Sequence, residues 1–259
     1  MLTRLAKAAL KHSGFALVRR PPLPRGAPRP TRGLQVELLA PSGAGKSTLY
    51  RALTLPRRDW MRAERFEVGR DAPQAPPEGQ AGKLYERLLF ARLQALQALP
   101  LPPARKLALV DFFTTKLRHD IAWRLSDYPC GLFSDDGFCH NFSAELAALA
   151  EEDPELDGMA ALLTGRALVR LDVTAEQVMA LLAVRHRQRP GGGNDWLGHL
   201  GQDAARAHVE AELAHAAALE GLFARHGRPR LTLSADDDQA THQHRISAFL
   251  ASLAEGATG

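Results

Sequence analysis

The order of its segments predicts an α/β fold for this chain: a parallel β-sheet of about five strands with helices on both faces. Two observations carry that prediction. Short apolar runs bounded by glycine, proline or acidic residues alternate with longer stretches whose apolar residues recur at helical spacing. Strands alternating with helices build a parallel sheet covered on both sides. The second observation is size and composition. A chain of 259 residues, 45% hydrophobic and 24% charged, can enclose a full core at the upper end of single-domain size. No apolar run approaches the ~20 residues needed to cross a bilayer.

The first strand is expected over residues 34–39, and the segment after it is the most informative in the chain. Leu34-Gln-Val-Glu-Leu-Leu-Ala-Pro-Ser-Gly-Ala-Gly-Lys-Ser-Thr-Leu-Tyr50 runs from an apolar stretch through a small-residue loop, 40–47, into a helix. This is the P-loop pattern, with Ala40 where the usual form has its first glycine. The spacing has a chemical reason. Gly43 and Gly45 permit backbone conformations that a side chain obstructs, so the N–H groups across Ser42, Gly43, Ala44, Gly45 and Lys46 can curl round a phosphate. The helix starting near Lys46 turns its positive dipole end toward the same phosphate. Lys46 reaches the β/γ-phosphates of ATP as a point charge, and Ser47 offers a hydroxyl to Mg²⁺. Thr48 and Tyr50 begin the helix that locks the loop. A methyl group at Ala40 is tolerated if the local φ is negative and strained if it is positive.

Residues 51–82 are poorly periodic. Trp60 and Phe66 read as anchors there, with a short strand over 66–68 and a mobile loop over 73–82. Residues 83–99 form a helix carrying Leu84, Leu88, Leu89, Leu93 and Leu96 on one side. Residues 105–126 admit two readings. Residues 107–111 look like a strand ending in an acid, Asp111, the shape of a magnesium-binding segment. Val110, Phe113, Leu117, Ile121 and Leu125 nevertheless continue at helical spacing. The long helix is preferred, and Asp111 stands as the runner-up for the metal.

Strands follow over 130–137 and 167–172. Thr174-Ala-Glu-Gln177 is a capping box that opens the next helix. Gly191-Gly-Gly-Asn194 interrupts the chain, and a helix over 202–226 ends at Gly227. The last strand is 230–234, and Asp236 or Asp237 caps a final helix through Leu253.

The net charge of +4 is unevenly spread. Residues 1–33 hold Arg4, Lys7, Lys11, Arg19, Arg20, Arg25, Arg29 and Arg32 and no acid. With +8 assigned to the tail, the body over 34–259 carries −4. The basic character therefore belongs to the tail. The body has no basic stripe interleaved with aromatics, which excludes nucleic acid as the main partner. Leu2, Leu5, Ala8, Ala9 and Leu10 fall at helical spacing before a proline-rich linker. The tail reads as a solvated arm, as a helix lying on an anionic membrane surface through residues 1–12, or as a transit peptide. Two cysteines, Cys130 and Cys139, give no disulfide framework and point to a reducing cytoplasm.

Two further clusters bear on chemistry. Ser134-Asp135-Asp136-Gly137 lies at the carboxyl end of a strand, where open α/β sheets place their ligand crevice. Successive strand residues face opposite sides, so the acids divide two tasks. Asp135 suits the metal and Asp136 the acceptor hydroxyl, with the reverse nearly equivalent. Arg185 and Arg189 lie four apart on a segment that runs into Gly191-Gly-Gly193, and can fold over a nucleotide to neutralise a transferred phosphoryl group. Arg187 points away from both. His242 and His244 lack a third ligand at usable spacing and read as a polar helix face. There is no guanine-reading Asn-Lys-x-Asp segment and no Leu-Ser-Gly-Gly-Gln segment.

These residues lead to an ATP-dependent phosphotransferase acting on a small-molecule acceptor. A nucleotide-switched binding protein and a stand-alone ATPase are the alternatives. Pro41-Ser-Gly-Ala-Gly-Lys-Ser-Thr48 resembles the loop of guanylate and adenylylsulfate kinases. Val169-Arg-Leu-Asp-Val-Thr-Ala-Glu-Gln177, followed by the arginines, is similar to the strand, helix and lid of thymidylate kinases. The likeness to this nucleoside-monophosphate-kinase-like group of P-loop NTPases implies a five-stranded parallel core, ATP with Mg²⁺ and a mobile lid. It also implies that the loop at 234–237 borders the adenine. The Asp-Arg pair common in nucleotide kinases is Asp135-Asp136-Gly137 here, which removes one clamp for a phosphorylated acceptor. Arg62, Arg65 and Arg70 are the candidates to replace it, and a neutral hydroxyl acceptor is an equal expectation.

Overall fold

The central strand shows why the first apolar run forms where it does. All five residues of β1 (Gln35–Leu39) are buried, as expected of a strand flanked by strands and covered on both faces. The computed structural model describes residues 31–56, 59–66, 68, 79–126, 128–152, 158–188 and 201–256. After β1 come α1 (Lys46–Ala52), β2 (Trp60–Arg62), a 3₁₀ turn (Ala63–Arg65), α2 (Gln80–Ala98), α3 (Pro103–Arg124) and β3 (Gly131–Ser134). The chain continues through α4 (Phe138–Asn141), α5 (Ser143–Glu152), α6 (Met159–Leu163), β4 (Arg166–Asp172), α7 (Ala175–Gln188), α8 (Gln202–Arg225), β5 (Arg230–Ser234) and α9 (Gln239–Gly256).

The five strands form one all-parallel sheet in the order β2-β3-β1-β4-β5. Val36 lies opposite Phe133 on one side and Ala167 on the other. Alternate side chains then feed two cores. Val36 and Leu38 pack with Leu49 of α1, Val178 and Leu182 of α7, and Ile246 and Leu250 of α9. Leu39 and Leu168 pack with Leu84 and Leu88 of α2, Leu117 and Ile121 of α3, Leu146 of α5 and Leu219 of α8. Burying a Leu or Phe in such a layer stabilises by roughly 1.5–3 kcal/mol.

Several expectations shift. The strand read at 66–68 lies instead at Trp60–Arg62. Only three residues long, it is fixed by its neighbour: a side chain at Gly131 of β3 would collide with the Trp60 ring at 2.6 Å. Trp60 and Phe66 are buried anchors, as expected. Residues 105–126 are helical, starting with Pro103 in the first turn, where its missing N–H costs nothing. Asp111 is exposed in the middle of that helix and so is not the end of a strand. The helices between Phe138 and Leu163 had no sequence counterpart. The final helix is capped by Asp238, whose Oδ1 accepts from Thr241 N at 2.7 Å, rather than by Asp236 or Asp237. Asp237 is engaged by Arg245 at 2.8 Å. Residues 1–30, the loop at 73–78 and Gly191 to Asn194 lie outside the described residues. Among those described, no helix is long and apolar enough to cross a membrane.

Candidate functional site

Because β3 is the neighbour of β1, their carboxyl ends deliver the loop at 40–47 and the acids of residues 135–136 side by side. A cleft of about 690 Å³ opens there. It is lined by Ser42, Gly43, Gly45, Lys46, Ser47 and Thr48 from the loop, by Arg51, by Asp135, Asp136 and His140, and by Leu181, Val184, Arg185 and Gln188 from one face of α7. The sequence therefore placed both acids and Arg185 on the same cleft as the loop. Arg189 lies outside the described residues.

The loop has the backbone its glycines were expected to allow. Gly43 and Gly45 have φ of 93° and 89°, and no non-glycine residue among those described has positive φ, Ala40 included. Gly43 also has no room for a side chain, since a Cβ would stand 2.5 Å from Leu182 of α7. Ala44 departs from expectation. Its side chain belongs to the core and its N–H donates to Pro41 O at 3.2 Å, so it closes the loop from within rather than facing the cleft.

Lys46 is the electrostatic centre. Its side chain folds back on the loop, and Nζ donates to Ala40 O at 2.6 Å and Pro41 O at 3.0 Å. Burial lowers its pKa to about 8, against the partial support of Glu212, Asp136 and Asp135. A desolvated ammonium whose hydrogen bonds among the described residues go to carbonyl oxygens is a ready partner for an anion.

The two acids are not equivalent. Asp136 Oδ2 accepts from Lys116 Nζ at 2.5 Å and Oδ1 from Asn141 Nδ2 at 2.9 Å. Among the described residues no hydrogen bond or ion pair engages the Asp135 carboxylate. The Ser47 hydroxyl and the Asp135 carboxylate line the same cleft. An oxygen donor set of that kind fits Mg²⁺, which takes one or two carboxylates and leaves its other positions to phosphate and water. Among the described residues no three His, Cys, Asp or Glu side chains gather as a metal site.

The loop bearing these acids is anchored from below. Glu37, buried in β1, accepts from Cys139 N at 2.8 Å and His140 N at 3.3 Å at the start of α4. A side chain at Gly137 would meet the Glu37 carboxylate at 2.3 Å, so glycine is required there for this close approach. Burial is the main cause that raises the Glu37 pKa to about 7, opposed by Arg166. Tyr50 ties α1 to the opposite side: its hydroxyl donates to Glu64 Oε2 at 2.5 Å and receives Ala63 N at 3.1 Å.

Sequence reasoning missed His140 and Glu212. His140 is deeply desolvated, and burial next to Lys46 pushes its pKa down to about 3, so the imidazole is neutral. Glu212 of α8 accepts from Ser42 N at 3.0 Å, which puts a carboxylate against the backbone of the glycine-rich loop. Nothing in the sequence marked either. Glu212 sits in an Ala- and Glu-rich helix where an acid is ordinary, and His140 in a stretch without legible period. Other candidates are occupied elsewhere. Arg62 donates to Tyr50 O and Leu53 O, both at 2.6 Å, satisfying carbonyls at the end of α1. His242 contacts Ser234 O at 2.7 Å and is structural. The segment 234–237 is not part of the cleft lining. No family model matches the chain, and no curated protein matches it significantly.

Proposed function

We propose that this chain is a P-loop NTPase-fold kinase that moves the γ-phosphoryl group of ATP, with Mg²⁺, to a hydroxyl of a small molecule. The observation that carries this reading is Lys46, a buried ammonium that, among the described residues, is held by backbone carbonyls at the head of a cleft that also contains Ser47 and Asp135. Ser47 and Asp135 would hold the metal, which shields phosphate charge when bound. Lys46 and the N–H groups of the loop bind the β- and γ-phosphates. Asp136, fixed by Lys116 and Asn141, orients the acceptor. Arg185 closes over the transferred group from α7.

The acceptor oxygen forms a bond to the γ-phosphorus while the bridging oxygen departs with the diphosphate. The hydroxyl proton passes to Asp136 and on to solvent, giving ADP and a phosphate monoester. Such transfer has a loose transition state, so positioning and charge matter more than a strong base.

The test is ADP release from Mg²⁺–ATP across nucleosides, nucleotides, sugars and sugar phosphates, with Lys46→Ala in parallel. Acceptor-dependent turnover that drops by about 10³-fold or more in the variant is expected, on the scale of lost transition-state electrostatics. Undiminished transfer by Lys46→Ala overturns the assignment. Tight nucleotide binding without acceptor-stimulated turnover would favour a nucleotide-switched binding protein instead.

A further inference from the structure

Arg51 lines the cleft together with Ser47 and Thr48. All three stand on the wet face of α1, where they are exposed while Leu49 and Tyr50 between them are buried. Ser47 and Arg51 are four apart, so they are neighbours one turn along that face. The rise between them is about 6 Å, and helical side chains lean toward the N-terminus. An arginine is long enough to bring its guanidinium level with the Ser47 hydroxyl.

The usual tasks of an arginine at a helix end are not what holds it there. Such a residue serves the last carbonyls of the helix or pairs with an acid three or four positions away. The carbonyls belong to Arg62, which donates to Tyr50 O and Leu53 O at 2.6 Å each and to Arg51 O at 3.5 Å. The positions three and four away are Ser47, Thr48, Thr54 and Leu55, none of them acidic. Among the described residues no hydrogen bond or ion pair engages the Arg51 guanidinium, and Asp135 in the same lining does not meet it. The side of the cleft is fixed by topology. From α1 the chain passes to β2, on the far side of β3, so α1 runs over the strand whose end leads into Asp135 and Asp136. Tyr50, next to Arg51, stacks on Phe133 of that strand at 5.5 Å. Arg51 therefore stands on the acid side, while Arg185 comes from α7, beyond β4.

Resting on the nucleotide reading above, we propose that Arg51 is a binding residue for the terminal phosphate of the nucleoside triphosphate, gripping the γ-phosphoryl oxygens from the side of Ser47 and Asp135, opposite Arg185. A metal held by Ser47 bridges the β- and γ-oxygens, so the group that faces Arg51 from there is the outermost one. A guanidinium suits it, because paired N–H donors match two oxygens of one phosphate. The contact separates triphosphate from diphosphate, and the diphosphate left after transfer no longer has it.

Calorimetric titration of the full chain with Mg²⁺ tests this, with adenylyl imidodiphosphate standing in for ATP and ADP as the comparison. The parent and Arg51→Gln are titrated with both ligands, and an unchanged urea midpoint shows that the variant is folded. Arg51→Gln should weaken the triphosphate analogue about 10-fold and ADP by less than about twofold, the loss of one charge-assisted contact. Arg51→Lys, which keeps the charge but not the fork, should recover part of the loss. Equal weakening of both ligands would put Arg51 against the inner phosphates or the loop and overturn the γ contact. No change in either ligand would make Arg51 a solvated surface residue, which overturns it as well. A parent that binds neither ligand removes the nucleotide reading itself, and the parent titrations alone reveal that case.

Discussion

Lys46 and Arg166 are both buried cations, 8% and 3% exposed, yet their surroundings shift them in opposite directions. Burial disfavours both charges. For Arg166 that penalty is overcome by the Asp120 carboxylate, which receives Nη1 at 2.8 Å and Nη2 at 2.5 Å, and its pKa rises well above the ordinary value. Gln35 and Leu162 O take further donors, Glu37 stands at 3.4 Å, and the guanidinium covers the Phe138 ring at 4.7 Å. For Lys46 no carboxylate among the described residues is in contact; Ala40 O and Pro41 O accept from it, and its pKa falls to about 8. Arg166 is a closed joint between β4, β1 and α3. Lys46 is held by backbone carbonyls, with no acid in contact with it among the described residues. Equal burial of the same sign of charge therefore separates structure from candidate function only when partners are compared.

The largest expected effect breaks the joint. Arg166→Met strands Asp120 and Glu37 in the core and should cost about 3–5 kcal/mol, a large share of a domain's typical ~5–15 kcal/mol. Lys46→Met removes a charge with no ionic partner, so stability should stay level or rise while nucleotide affinity is lost. Urea unfolding of the two variants reads this directly. A cost for Lys46→Met as large as that for Arg166→Met would mean that Lys46 too is structural, and would remove the basis of the proposed function.

The two sites differ as much in how legible they were. The glycine-rich loop is local: eight consecutive residues fix its backbone, so Pro41 to Thr48 could be read without knowing what surrounds them. The same holds for the strand at Arg230–Ser234 and for the Thr174–Gln177 cap, which rest on local propensity and hydrogen bonding. The Arg166 joint joins residues 46 and 81 positions from Asp120 and Tyr85, and no local pattern encodes it. Glu212 contacts Ser42 across 170 positions for the same reason. The strand at Trp60–Arg62 was placed six residues too late because its three residues carry no period of their own and depend on β3. Asp135 and Asp136 were legible as a pair at a strand end, but the difference between them was not, since it comes from Lys116 on another helix.

A smaller effect sharpens the contrast through pH. Glu37 has its pKa raised from 4.5 to about 7, so the folded protein holds a proton that the unfolded chain releases. Between those values folding takes up a proton, and this group's stabilisation is full below pH 4.5 and is lost as pH rises through about 7. Glu37→Gln keeps an acceptor for Cys139 N and His140 N but cannot titrate. The stability of the parent relative to the variant should therefore fall by on the order of 3 kcal/mol between pH 4.5 and pH 8. Urea midpoints at four pH values measure it. A gap that is the same at every pH would mean that Arg166 holds Glu37 ionised throughout, and the joint would extend to include it.

The smallest effect lies on α7. Thr174 N donates to Gln177 Oε1 at 2.8 Å, and Gln177 N returns the bond to Thr174 Oγ1 at 3.2 Å. Two N–H groups that α7 cannot satisfy internally are thereby satisfied. Thr174→Ala should cost about 1 kcal/mol, or roughly 2–4 °C in Tm for a protein of this size. Its interest is in the direction of any functional change. α7 carries Leu182, which packs on Gly43, and Arg185, which lines the cleft. Leu182 and Arg185 both lie beyond the second turn of the helix, which begins at Ala175, while the cap holds only the first. The variant should therefore lose stability with nucleotide affinity unchanged within twofold. An affinity loss larger than the stability loss would mean that the cap sets the angle at which α7 meets the loop, and would place Thr174 on the functional side of the comparison.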